Sequence, residues 1–261
     1  MSELASRIKT TKVEPGSVAI FWLGQAGFVY KTPGGTVMYV DAYLSDCVSR
    51  LVGDQFYGFK RIIPAPIRPE EVEADWVVCT HSHPDHFDFD ALPIIAKNRH
   101  IRFIGAPDCR AEFEKLDIPA DRYTVIKEEM TVGCDDITLT GVFADHGDLA
   151  PDAIGVIIGV GEINIWQVAD TAYRPERWRD VFEMNIDVVI PPINGAFGNL
   201  DGVAAAKLAR DCRANTAIPC HYWMFAEHGG DPAQFLESCR EYAPEVGAKL
   251  MSVGELFVYK R

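Results

Sequence analysis

The hydrophobic positions of this chain come in short dense runs, broken by glycine, proline and acidic residues. In the first third, VAIFWL (18–23), GFVYKT (27–32) and TVMYVD (36–41) are apolar and β-branched, separated by Gly24, Gly27 and a Pro33, Gly34, Gly35 turn. That spacing predicts a β-meander. Residues 42–74 carry no period and hold Gly53, Gly58, Pro64, Pro66 and Pro69, so they read as a long loop of the kind that serves function or moves. DWVVCT (75–80) predicts a buried strand, ALPIIAKN a helix, IRFIGA a strand, and PDCRAEFEKL (107–116) a helix with proline at its start. ITLTGVFA (137–144) predicts a strand, and 153–170 a hairpin turning around 159–161. Beyond it, strands DVVIPP, TAIPC and ELFVYK alternate with helices over RPERWRDVFEMN, DGVAAAKLARDC and DPAQFLESCREY.

A β-rich first half followed by alternating strands and helices predicts an α/β (α+β) layered sandwich, with sheets inside and helices outside. No internal repeat, low-complexity tract or long linker interrupts it, so 1–261 reads as a single domain. The length allows a sizeable core, and 48% hydrophobic with 24% charged residues excludes a disordered chain or a fibre. The net charge of −13 argues against a nucleic-acid partner, which a basic face would normally meet. The N-terminal stretch holds no apolar core of signal-peptide length, and no run is long enough to span a bilayer, so a cytoplasmic protein without a membrane partner is expected. Seven scattered cysteines without a CxxC pair fit a reducing compartment and read as small buried apolar residues.

The chemistry concentrates in HSHPDH at 81–86, where three of the seven histidines fall within six residues. The run follows a predicted strand, so His81, His83, Asp85 and His86 sit on a strand-end loop. Neutral imidazoles and a carboxylate are what zinc, manganese or iron take as ligands. His146 follows LTGVFAD, Asp170 follows INIWQVA and His221 follows TAIPC, each where a strand should end. Singly, these would be surface histidines and a helix-capping aspartate. In this order behind HxHxDH they form one pattern.

That pattern resembles the metallo-β-lactamase fold hydrolases, from about residue 16 to the C-terminus. FWLGQAGFVYKTPGGTVMYVDAYLSD, ADWVVCTHSHPDHFD and IPCHYWMFAEHGGDP are similar to the L-ascorbate-6-phosphate lactonase-like branch. The chain is shorter than the sugar-phosphate lactonase itself, and it differs around Asp145 and His146. The resemblance implies a four-layer αββα sandwich and two divalent metal ions per chain, zinc or manganese with iron also compatible. It implies that His81, His83 and His146 bind one ion, that Asp85, His86 and His221 bind the other, and that Asp170 bridges both. Asp145 is an adjacent competitor of His146. The implied reaction is the opening of a lactone or small ester of a small-molecule substrate, including a sugar-phosphate lactone, by a hydroxide shared between the ions, with Asp85 orienting it. No GxSxG motif offers a serine nucleophile instead.

Around this set, Asp41 is implied to lie beneath the site and hold a ligand histidine, with a plain turn as the alternative. Trp22, Gln25 and Gly27 are expected in the wall, with Trp22 in the core. Asn194, Tyr222 and His228 are the candidate substrate contacts, His228 also as a catalytic group. Arg174 and Arg177 read as surface residues, and Cys220 as buried filler. A binuclear phosphodiesterase of a small phosphodiester is the alternative activity, because two-metal sites serve such esters equally well. A di-iron redox protein would need a partner domain that this length does not hold, and a metal-free scaffold would not keep the whole ligand pattern. The resemblance also implies homo-oligomers, as dimers or hexamers.

Overall fold

Runs in which every residue is apolar on both faces need cover on both faces, and the chain supplies it with two sheets packed together. The computed structural model describes residues 1–53 and 58–261. The expected meander is present as β1 (Ser17–Gly24), β2 (Gly27–Lys31) and β3 (Val37–Val40), and all of β1 and β3 is buried. β4 (Trp76–Cys79), β5 (Arg102–Gly105) and β6 (Tyr123–Val125) extend this sheet in parallel. The second sheet runs through β7 (Thr131–Cys134), β8 (Ile137–Phe143), β9 (Ile154–Val160) and β10 (Ile163–Gln167) in antiparallel order. It continues in parallel through β11 (Val188–Ile190), β12 (Thr216–Ala217) and β13 (Gly247–Ala248). The last strand, β14 (Leu256–Lys260), crosses back and pairs with β1. Each sheet therefore has seven strands among the described residues, half meander and half parallel.

The sheets share one core, and a polar bridge crosses it. Tyr30 Oη donates to Gln167 Oε1 at 2.7 Å, and Gln167 Nε2 donates to the Ala26 carbonyl at 2.8 Å. Helices complete the αββα layering. α1 (Glu3–Thr10) stands where the sequence pattern predicts no element. Ser2 caps it, and Leu4, Ala5 and Ile8 join the core. The 42–74 stretch is less loop-like than expected where it is described: it contains α2 (Cys47–Val52) and a 3-10 turn at Pro69–Glu71. Residues 54–57 of that loop lie outside the described residues.

ALPIIAKN shrinks to the single turn α3 (Leu92–Ile95), whereas α4 (Cys109–Lys115) follows the expected helix. RPERWRDVFEMN is not one helix but a 3-10 turn at Pro175–Arg177 and the single turn α5 (Arg179–Phe182). Trp178 breaks it: the fully buried ring meets Trp166 at 5.4 Å and its Nε1 donates to the Phe143 carbonyl at 2.8 Å. Core packing of one indole overrides helix propensity here. α6 (Gly202–Asp211) and α7 (Pro232–Tyr242) form as predicted, each capped by an aspartate side chain, Asp201 and Asp231. Only the first two residues of TAIPC pair as a strand. Pro219 has no N–H to donate, and beyond Ala217 the pairing continues only as Ile218 N to the Val189 carbonyl and an isolated bridge at Cys220.

Candidate metal centre

The loops leaving β3, β4, β8, β10 and β12 and the β1–β2 turn converge at one end of the sandwich. β3 ends at Asp41, whose φ of +49° lies in the left-handed region that non-glycine residues rarely enter. That turn aims its buried carboxylate under the 81–86 loop. Oδ1 accepts from Thr80 N at 2.8 Å and Oδ2 from Thr80 Oγ1 at 2.7 Å. His86 Nδ1 lies 2.9 Å from Oδ2 and donates to it, which leaves Nε2 free to face the centre. His83 is fixed the same way: its Nε2 donates to the Leu149 carbonyl at 3.0 Å, so Nδ1 faces inward, 3.0 Å from His81 Nε2.

Asp170 joins the two halves. Its Oδ1 lies 3.2 Å from His221 Nε2 and 3.4 Å from His86 Nε2, while Oδ2 lies 3.7 Å from His146 Nε2. It caps no helix, since the next helical turn begins only at Pro175. Asp85 Oδ2 lies 3.3 Å from His221 Nε2 and 3.8 Å from His86 Nε2. All seven residues of the sequence pattern thus meet in one nest. Three groups have ligand atoms within 4.8 Å of one another, the first two sharing His81: His81, His83 and His146; His81, His86 and Asp170; Asp85, His221 and His228.

The donors suit a cation. Asp170 Oδ1 and His146 Nδ1 are buried without a hydrogen-bond partner. Imidazole nitrogens face one another at 3.0–3.4 Å, where two lone pairs would repel unless a positive charge lay between them. These residues are able to bind a metal, and their imidazole and carboxylate chemistry fits zinc, manganese or iron. Electrostatics agrees. Burial acts to raise Asp85 and Asp170, but His86 and His221 outweigh it and hold both carboxyls well below the usual range. Burial, reinforced by neighbouring imidazoles, pushes His81 and His146 down and His228 down to about 4. Burial also opposes charge on His86, yet Asp170 and Asp41 overcome it and raise that imidazole well above its ordinary value.

Gln25, expected in the wall, reaches inside. Its Nε2 donates to Asp85 Oδ2 at 2.8 Å and lies 3.0 Å from His228 Nδ1, and its backbone carbonyl accepts from His221 N at 3.0 Å. No short motif marks this role. A signal that could have found it is the tight turn between Gly24 and Gly27, which puts residue 25 at a φ of +51°. Asp88 was also missed. Its carboxylate accepts from Leu44 N, Ser45 Oγ and Ala91 N and so pins the HxHxDH loop to the 42–46 segment.

The remaining candidates separate. His228 stacks on His221 with ring centres 4.8 Å apart and lines the cavity above the nest. Tyr222 does not line that cavity: its ring packs at 5.1 Å against buried Trp22, in the core. Asn194 is buried and does not line the cavity, with Nδ2 donating to the Ala196 carbonyl at 3.4 Å. Asp145 is turned away from the histidines, paired at 2.7 Å with Arg174. Arg177 pairs with Glu128 at 3.2 Å, at the surface. Cys220 is buried, and the seven cysteines are free thiols. No helix among the described residues is long and apolar enough to cross a membrane.

A family model described as a Beta-lactamase superfamily domain matches residues 19–221, and the chain belongs to that superfamily, as a metal-dependent hydrolase of the metallo-β-lactamase fold. A metal-dependent hydrolase of Aeropyrum pernix is 29% identical over 91% of this chain and 96% of its own length. A probable L-ascorbate-6-phosphate lactonase of Salmonella heidelberg is 23% identical over 89% of this chain and 77% of its own. Among solved structures, the isothiocyanate hydrolase from Delia radicum gut bacteria superposes with a TM-score of 0.76 at 17% identity, covering 93% of this chain and 99% of that one.

Proposed function

We propose that this chain hydrolyses a lactone or small ester at a two-metal centre. His81, His83 and His146 would hold one ion, Asp85, His86 and His221 the other, and Asp170 both. The observation that carries this reading is Asp170, whose two oxygens address the two histidine groups separately, at 3.2–3.4 Å and 3.7 Å. The similarity to a probable lactonase supports the ester chemistry. When bound, divalent ions in such a site acidify water and polarise a carbonyl oxygen.

The chain's own groups do the rest. Asp85 is ionised and oriented by the 2.8 Å bond from Gln25, so its carboxylate can accept the proton of the attacking water. The oxygen of that water adds to the carbonyl carbon, and the acyl C–O bond breaks. The leaving alkoxide takes a proton and departs as an alcohol, leaving a carboxylate. His228 stands on the cavity wall, where it can contact the leaving oxygen and relay that proton.

Elemental analysis beside a hydrolysis screen tests the reading, with lactones, simple esters and phosphodiesters offered in the presence of zinc or manganese. About two ions per chain with lactone or ester opening is the expected result. Turnover of phosphodiesters alone would replace it with the phosphodiesterase reading. Neither metal uptake nor turnover would overturn both.

A further inference from the structure

The cavity above the nest has a volume of about 250 Å³ and a sharply divided lining. Its polar side comprises His228 and members of the ligand set. The rest is hydrocarbon: Val48, Val52, Phe59, Pro84, Leu149 and Phe197. Among the described residues, no lysine or arginine lines it. Three arginines of neighbouring segments are engaged by other groups. Arg61 Nη1 donates to the Tyr43 carbonyl at 2.9 Å and Nε to the Ile63 carbonyl at 3.1 Å, with the guanidinium stacked on the Tyr43 ring. Arg50 is paired with Asp90 at 2.6 Å and Arg174 with Asp145 at 2.7 Å. Between Arg50 and Lys60 the sequence contains no basic residue at all.

Phe197 sharpens the picture. It is 44% exposed at the mouth, and its backbone is held at a φ of +55° between Gly195 and Gly198. Its ring centre stands 5.5 Å from His228 and 6.2 Å from Phe59. A bulky residue in the left-handed region is strained, and such strain gathers where a ligand is gripped. Phe197 thus sets an aromatic ring beside His228 in the cavity lining.

We infer that the substrate presents this cavity with an uncharged apolar group, an alkyl or aryl substituent on the ester or lactone, and carries no phosphate. The inference rests on the ester-hydrolase reading and names its substrate class. A phosphate remote from the reacting carbonyl would lie against hydrocarbon without a charged donor, and burying such an anion unpaired is prohibitive. The net charge of −13 adds a repulsive long-range field for anionic ligands. An alkyl chain or ring gains from the same walls, because each methylene buried there leaves water.

The test compares the metal-loaded protein on an alkyl-substituted γ-lactone and p-nitrophenyl butyrate with a 6-phosphorylated sugar lactone. The expected kcat/KM favours the alkyl substrates at least tenfold. Phe197→Ala should raise KM for the alkyl lactone about fivefold and leave kcat within twofold. Leu149→Arg, which sets a cation at the mouth, should narrow the preference about tenfold without changing metal content. Calorimetric titration of the metal-free protein should show binding of the alkyl lactone, weakened in Phe197→Ala, and none of the phosphorylated one. Preference for the phosphorylated lactone, or two variants indistinguishable from the parent, would overturn the substrate inference and leave the hydrolase reading standing. Absence of turnover on every ester by the metal-loaded protein would overturn both.

Discussion

At the floor of the cavity, Asp41, Thr80 and His86 are buried and joined by bonds of 2.7–2.9 Å, whereas at its mouth Leu149 and Phe197 leave 56% and 44% of their surface exposed. The floor is polar and over-determined: each inward-facing nitrogen of His83 and His86 is fixed by a partner on the far side of its ring. The mouth is apolar, and side chains on separated loops compose it. A reacting centre needs fixed donors, which buried hydrogen bonds provide. Recognition of an apolar group needs only shape and dry surface. The two regions therefore carry different parts of the activity, and substitutions should separate them.

The largest effect is expected at the floor. Asp170→Asn removes the charge that addresses both histidine groups and should cut kcat/KM by about 10³-fold or more, roughly 4 kcal/mol of transition-state stabilisation. Circular dichroism should stay native while elemental analysis shows lost metal. Asp85→Asn and His86→Ala should behave alike. Full activity in any of the three would remove the distinction between floor and mouth.

Acid should also strike the floor first. In the metal-free protein, folding lowers the pKa of His81, His146 and His228, so the unfolded chain takes up protons before the folded one. Their contribution to stability is complete above the unfolded value of about 6.5 and is lost as pH falls below it. For His228, whose folded value is about 4, the loss is on the order of 3 kcal/mol across that window. His86 has the opposite sign: its contribution is complete below about 6.5 and fades as pH rises through its raised value. Urea midpoints of the metal-free protein should therefore fall from pH 6.5 to 4. A midpoint that rose over this range would contradict the burial of neutral histidines.

Asp41→Asn is a finer probe, because it keeps the shape and removes the carboxylate that orients His86. Metal affinity should drop 10–100-fold, the usual cost of losing such a partner. Chelator competition would measure it, and an unchanged affinity would make Asp41 only a turn residue. The smallest effect belongs to Arg177→Ala. This exposed pair with Glu128, also stacked at 3.8 Å on the Phe143 ring, should cost at most about 1 kcal/mol in a thermal melt. It should leave hydrolysis of an apolar lactone unchanged.

The ligand pattern was legible because each of its members sits at the end of an apolar run, and HxHxDH packs four of them into six residues. Local order alone made that loop readable. The meander of β1–β3, the β9–β10 hairpin and helices α4, α6 and α7 were legible for the same reason: short turns and caps lie in the same few residues as the element. β6, β7 and β13 are too short to carry a period, and the break at Trp178 depends on Trp166 and Phe143, distant in sequence. Gln25 was placed in the wall because nothing local shows that His221 and Asp85, 196 and 60 residues away, would close on its amide.

By itself, then, the sequence determined the kind of fold and the donors that gather at one end of it, since both are written in local periodicity and strand-end residues. Only the tertiary structure decided which oxygen of Asp170 meets which histidine, which ring nitrogen of His83 and His86 faces inward, and that Tyr222 belongs to the core while Phe197 guards the mouth. Those outcomes depend on contacts between segments far apart in the chain. Their free energy comes from burial and hydrogen bonds that exist only once the two sheets have closed on each other.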